Sequence, residues 1–305
     1  AYPTWLTLAP FAGELDPQAK LDLETQPFLQ GRALGNINAA EILAEVEERY
    51  GRPKNVEGFL ALSQLVQADR LEAAHYWQQD GMPVYPGLVY GHFNAVWPGA
   101  TGAMVDHEGR AVAAYYRLKK QFRDRTMHIE QDGDSVVVHL YNEKSWKSGR
   151  LRIRLVDSKG KLKWEDERRI SDRMQGLRQR MAWGLSGKMK KVLSGKVFLL
   201  AEWIEVGEED VSRVFDGTGP GSLKLKEAAF SHRFYKKGGK NYLDIVPQTV
   251  VKHFEIQFES LVVPMSDNYM DLIPGQPITI ELDAPKFVPE YLEKKVRFRS
   301  LVDWL

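Results

Sequence analysis

Residues Gly87–Phe122 read GLVYGHFNAVWPGATGAMVDHEGRAVAAYYRLKKQF, and their changes of character predict a strand, a loop and a helix. Leu88, Val89 and Tyr90 form a short apolar run; His92, Asn94 and Trp97 give it a polar-aromatic end. Pro98-Gly99 breaks the chain, and Asp106–Gly109 marks a turn. Val112, Tyr115, Leu118 and Phe122 then recur at spacings of three, three and four, one face of a helix. A strand that ends in Asn and Trp and runs through a loop into a helix is how a (β/α)8 barrel presents its site residues.

The flanks extend this reading. Residues 1–38 are punctuated by Pro3, Pro10, Pro17 and Pro27 and by Gly13, Gly31 and Gly35, which predicts irregular chain. A helix is expected over Ala39–Tyr50, with Ile42, Val46 and Tyr50 four apart. Asn55 is placed to cap a second helix reaching about Gln79, with Phe59, Leu62 and Val66 on one stripe. Helix, strand, helix is the tail of an α/β barrel. A whole barrel takes about 250 residues, and the character of this chain changes after Arg125.

Beyond that point the pattern has the period of strands. Ser135–Tyr141 is rich in Val; Leu151, Ile153 and Leu155 alternate with Arg152 and Arg154. Asp157-Ser158-Lys159-Gly160 is a turn, and Val197–Val206 is another strand. Residues 171–195 fit a short helix or a long loop equally well. Gly217-Thr218-Gly219-Pro220-Gly221 reads as a linker. Phe254, Ile256 and Phe258 alternate with His253, Glu255 and Gln257; Ile278, Ile280 and Leu282 repeat the pattern, and Val296 and Phe298 close it. The expected fold class is therefore α/β plus all-β. Its parts are the last barrel elements over 1–125 and two immunoglobulin-like β-sandwiches over 126–222 and 223–305.

Composition narrows the function. The net charge of +1 provides no general attraction to nucleic acid or to an anionic membrane. The lysines and arginines between Arg173 and Lys196 read as a solvated face. No apolar run approaches the roughly 18 residues of a membrane helix, and AYPTWLTLAPF has no basic start, so no intact signal peptide is visible. Without cysteine there are no disulfides, thiolate metal sites or cysteine nucleophile. No Asn begins a glycosylation sequon, which favours a bacterial over a lysosomal origin; the compartment stays open, with the periplasm or the exterior favoured. The histidines show no metal-ligand spacing. No cofactor is expected.

Three segments carry a resemblance. Asn94, Trp97, Pro98, Asp106, Gly109, Tyr115, Tyr116, Lys119 and Phe122 fit the pattern that ends the catalytic barrel of β-mannosidase-like enzymes of glycoside hydrolase family 2. Ser266-Asp267-Asn268-Tyr269-Met270-Asp271-Leu272-Ile273-Pro274-Gly275 resembles a motif of the last β-sandwich in the same enzymes. Tyr50-Gly51-x-Pro53, Phe59, Ser63-Gln64 and Gln67-Ala68 resemble the helix before the final barrel strand. The chain departs from the family at Gly91, where a sugar-walling tryptophan stands, at His92 (glutamine) and at Ala95 (aspartate).

The resemblance implies a retaining exo-glycosidase acting on terminal β-D-mannosides or related β-glycosides, with Gly91 altering specificity or abolishing activity. Retention needs two carboxyl groups about 5–5.5 Å apart. In the family both are glutamates, one after an asparagine on the fourth barrel strand and one ending the seventh. Asn142-Glu143 lies in the β region and reads as surface loop, while Glu14 and Glu24 follow no strand. The chain is thus expected to begin after the nucleophile strand and to lack both catalytic carboxylates. Its expected partner is the N-terminal portion of the same enzyme, as a separate chain or a missing segment. No catalytic residue is assigned. Asn94, Trp97 and His92 are the candidates for contact with a carbohydrate substrate, by ring stacking and hydrogen bonding. Against this stand a packing corner at Trp97 and a structural role for His92. Asp267 and Asp271 suggest calcium less than they suggest the family's structural turn. The rival reading is a non-catalytic scaffold or carbohydrate-binding module, with Trp146, Trp164 and Trp203 as its platform, although in alternating strands such residues are more often core.

Overall fold

The computed structural model describes residues 2–11, 16–21, 27–32, 37–82, 84–208, 211–215, 217 and 223–305. Two short helices, α1 (Trp5–Leu8) and α2 (Pro27–Gly31), precede a helical layer. That layer consists of α3 (Ala39–Arg49), α4 (Val56–Asp80) and α5 (Ala113–Gln121). Asn55 caps α4 as expected: its side chain accepts a hydrogen bond from the Gly58 N–H at 2.8 Å. Val46 and Tyr50 of the α3 stripe are buried against Phe59, Leu62 and Leu65 of α4. Of the face expected on α5, Val112 and Leu118 are buried and Tyr115 packs partly buried on the helical core, while Phe122 is 65% exposed, edge to face with His75 and Tyr90.

Two pairs of antiparallel sheets follow. β1 (Arg125–Asp132), β2 (Ser135–Asn142) and β5 (Arg178–Gly184) form one sheet in the order β1-β2-β5. β3 (Gly149–Asp157), β4 (Leu162–Ile170), β6 (Val197–Glu205) and β7 (Val211–Phe215) form its neighbour in the order β4-β3-β6-β7. Leu151, Ile153 and Leu155 point into the core between them, the period-two burial their spacing predicts. Asp157 holds the β3–β4 turn by accepting from the N–H groups of Lys159 and Lys161, and Gly160 supplies the positive φ. The undecided stretch 171–195 holds β5 and then a 3-10 helix at Met189–Ser194. Apart from Gly217, the expected linker lies outside the described residues, as do Glu14 and Glu24.

The second pair comprises β8 (Phe230–Lys237), β9 (Lys240–Pro247) and β12 (Ile278–Leu282), ordered β12-β9-β8. Facing it are β10 (Val251–Phe258), β11 (Met270–Leu272) and β13 (Val296–Arg299), ordered β11-β10-β13. α6 (Pro289–Lys295) leads into β13, and α7 (Leu301–Trp304) turns back onto α4. Phe254, Ile256 and Phe258 enter the sandwich core as expected. The opposite face of β10 does not meet water. His253 and Glu255 are buried, His253 against Tyr50, because the helical layer covers that face.

The α4–α7 contact is close enough to test. A Cβ on Gly58 would stand 2.6 Å from the Trp304 carbonyl oxygen, which also accepts from Lys54 N–H at 2.9 Å. Glycine to alanine in a helix ordinarily stabilises by about 1 kcal/mol. Here overpacking costs about 1–3 kcal/mol, so Gly58→Ala is expected to lower the melting temperature. A rise would show that α7 is free to move away.

The strand expected at Leu88–Tyr90 is absent: this stretch is extended but pairs with no strand among the described residues. A barrel strand takes its hydrogen bonds from the strands on either side, and the described residues supply none.

Candidate functional site

The segment around Trp97 is held by its own backbone. The Phe93 carbonyl accepts from the N–H groups of Met104 and Val105, each at 3.0 Å, and Ala95 N–H donates to the Val105 carbonyl at 2.8 Å. Asp106 closes the loop. Its carboxylate accepts from Glu108 N–H at 3.0 Å, from Arg110 N–H at 2.8 Å and from the Thr7 hydroxyl, and Gly109 takes the positive φ the turn requires. Burial raises the Asp106 carboxyl above its ordinary range, against these hydrogen bonds. The Asp-x-x-Gly match is therefore a turn that holds the loop in place. α4 braces the loop from below through Gln67, whose amide donates to the Gly102 carbonyl at 2.8 Å.

The three candidate residues lie along this segment. His92 and Asn94 are exposed, and His92 adopts a left-handed backbone with φ of 59°. Trp97 is half-buried, with the Arg32 guanidinium 4.9 Å from its ring centre and a buried Nε1–H that has no partner among the described residues. A Cβ at Gly91 would meet nothing within 4 Å.

Several large apolar side chains of the same stretch and of the end of α4 are uncovered. Val89 is 99% exposed, Val96 87% and Phe93 64%, and Val84, Tyr85 and Trp77 are also exposed, with Trp77 and Tyr85 stacked at 4.6 Å. Apolar side chains in such density along one extended segment ordinarily mark an interface.

Other sequence candidates resolve structurally. Asn142 is buried and caps a turn by accepting from Lys144 N–H at 3.0 Å. Asn268 bridges the backbone of Ile256 through both ends of its amide. Asp271 pairs with Lys252 at 2.6 Å and accepts from His253 N–H. Burial would raise its carboxyl, but the cation beside it holds it well below the usual range. Among the described residues, no group of three or more His, Asp or Glu is placed to hold a metal ion. The proposed tryptophan platform is corrected: Trp146 and Trp203 are buried and stacked on each other at 5.4 Å, and Trp164 packs on the same core.

Sequence reading missed two buried polar clusters where the helical layer meets the β-sheets. In one, Glu72 lies between Arg117 and Arg213, 2.8 Å from the latter, with Gln121 donating to it at 2.6 Å. Burial would raise the Glu72 carboxyl, but the two guanidinium groups outweigh it and hold it at about 2. In the other, Glu255 accepts from Tyr269 at 2.8 Å and from Gln257 at 2.7 Å. Burial dominates there and pushes its carboxyl up to about 7.

Residues 225–304 match the mannosidase Ig-fold domain family. No curated protein sequence matches the chain. In fold the chain is similar to a β-D-mannosidase from Dictyoglomus thermophilum, with a TM-score of 0.77 at 17% identity. The match covers 98% of this chain and 36% of that one. An exo-chitosanase from Amycolatopsis orientalis gives a TM-score of 0.68 at 18% identity, covering 99% of this chain and 40% of that one. A variant of the chitosanase in complex with PNP-β-D-glucosamine gives 0.64 at 18% identity, over 98% and 40%. The chain therefore spans well under half the length of these glycosidases. Its architecture, β-sheets in sandwich-like pairs with an Ig-fold domain, is that of their C-terminal region. Residues 225–304 thus carry a mannosidase-type Ig-fold domain, and the chain shares its fold with part of these glycosidases.

Proposed function

We propose that the chain is the C-terminal part of a retaining exo-glycosidase, whose catalytic glutamates lie outside it. Residues 1–125 are the last elements of the catalytic barrel, and 126–222 and 223–305 are two sandwich domains. The N-terminal portion of the same enzyme, in the same chain or another, covers the face that carries Val89, Phe93 and Val96. That segment, with Val89, Phe93 and Val96 exposed and Leu88–Tyr90 paired with no strand among the described residues, is the observation that supports the reading best. It runs directly into Trp97, and it has the composition of a barrel strand without its neighbours.

Trp97 would offer a sugar ring the face that Arg32 does not cover, with Asn94 and His92 at the rim. Terminal β-mannosides are the first substrate class. β-Glucosaminides are the second, supported by the chitosanase likeness and by the open space at Gly91.

The test compares the isolated chain with its natural assembly on chromogenic β-mannosides and β-glucosaminides. The chain alone should be inactive. An assembly that contains a second segment with an asparagine-glutamate pair should turn one of them over, and an assembly inert on both would overturn the proposal. Within that assembly, Trp97→Ala is expected to lower kcat/KM by about tenfold, the loss of one stacking contact. Unchanged kinetics would remove Trp97 from the site.

A further inference from the structure

A cavity of about 10 Å3 lies where the N-terminal segment, α4, β10, β13 and α7 meet, and Thr4, Gln64, Gln257 and Trp304 are among the residues that line it. Each of the four brings a buried polar atom with no hydrogen-bond partner among the described residues: Thr4 Oγ1, Gln64 Nε2, Gln257 Oε1 and Trp304 Nε1. Buried polar groups are paired in nearly all native structures, so four such atoms on residues that line one small cavity call for a common explanation.

The chemistry of the four atoms supplies one. Trp304 Nε1–H can only donate. Gln64 Nε2 also donates, because its Oε1 is fixed as an acceptor by Ala113 N–H at 3.3 Å. Two donors cannot satisfy each other. In Gln257 the group left to accept is Oε1, because its Nε2 donates to Glu255 at 2.7 Å. The Thr4 hydroxyl can accept. One water molecule has two lone pairs for the two N–H groups and two hydrogens for the two oxygens. The space is about what a single water needs, and buried waters typically make 2–4 such bonds.

We propose that this cavity is a binding site for one structural water, held by Thr4, Gln64, Gln257 and Trp304, which joins the helical layer to the C-terminal sandwich. Its four ligands come from widely separated parts of the sequence, so the water ties those elements into one arrangement. It also gives Glu255, on the same cavity wall, a polar surrounding beyond its two direct hydrogen bonds.

A crystal structure of this chain at a resolution that shows ordered water tests the site directly. An ordered water within hydrogen-bond distance of all four atoms is the expected result. A dry site, or side chains that have closed onto one another in direct hydrogen bonds, would overturn it. A stability cycle with Trp304→Phe, Gln64→Leu and the double variant gives a second readout. Sharing one water, the two donors should couple, and the double variant's unfolding constant should depart from the product of the single effects by about threefold or more. Agreement within twofold would count against a shared ligand. Should the double variant not fold, the crystal structure alone decides.

Discussion

Glu72→Ala is expected to destabilise the chain by about 3 kcal/mol, because it removes the anion that two largely buried guanidinium groups share. Only 13% of the Glu72 side chain is exposed, and 15% of that of Arg117. Without Glu72, Arg117 keeps Asp69 at 3.6 Å, and Arg213 keeps the Tyr76 hydroxyl at 2.8 Å and the Met127 carbonyl at 3.0 Å. Neither of the last two offsets a charge. The cluster joins α4, α5 and β7, so its loss should loosen the helical layer from the first sheet pair. The measurement is the urea midpoint at neutral pH, with Arg70→Ala as control. Arg70 pairs with Glu45 on the surface with 66% of its side chain exposed, and such a pair is worth at most about 1 kcal/mol. Equal effects would show that the Glu72 cluster is solvated. Acid should reproduce the variant. A carboxyl held at about 2 in the fold, below its ordinary 4.5, contributes stability above pH 4.5 that is lost as pH falls toward 2.

Elements that carry their own signal were legible in the sequence. The α4 cap at Asn55, the β3 alternation and the Asp157–Gly160 turn rest on neighbours a few residues away, and each stands where the pattern placed it. Leu88–Tyr90 has the composition of a strand but no strand beside it, and pairing is not a local property. The alternation of His253, Glu255 and Gln257 with apolar residues marked a polar face without saying what it meets. His253 and Glu255 are buried against helices, which only tertiary packing decides. The same limit hid Glu72, Arg117 and Arg213, whose separations in sequence give no hint that they meet. Of the candidate site, the loop and its Asp106 turn could be read. The contact of Trp97 with Arg32 could not, since a cation facing a ring leaves no mark in spacing.

Glu255 carries the other large effect, with the opposite sign in pH. Its residue is 2% exposed, and the groups that face it are Tyr269, Arg299 and Glu57. Arg299 is engaged by Glu57 at 2.8 Å, so it offsets little of the burial cost. With a carboxyl at about 7 in the fold against 4.5 when unfolded, the native state holds the proton more tightly. Stability is then fully present below pH 4.5 and falls as pH rises through 7, by about 3 kcal/mol in all. Glu255→Gln has no charge to bury, and its amide oxygen can still accept from Tyr269 and Gln257. The variant should match the parent near pH 4.5 and exceed it by about 3 kcal/mol at pH 8, measured as denaturant midpoints across that range. Parallel profiles would mean that water reaches Glu255 in the native state. Because the Glu72 contribution is gained between about 2 and 4.5 and the Glu255 contribution is lost between 4.5 and about 7, the two groups together place the stability maximum near the ordinary carboxyl range. Removing Glu255 should extend that maximum upward as a plateau, whereas removing Glu72 should flatten only the acid limb.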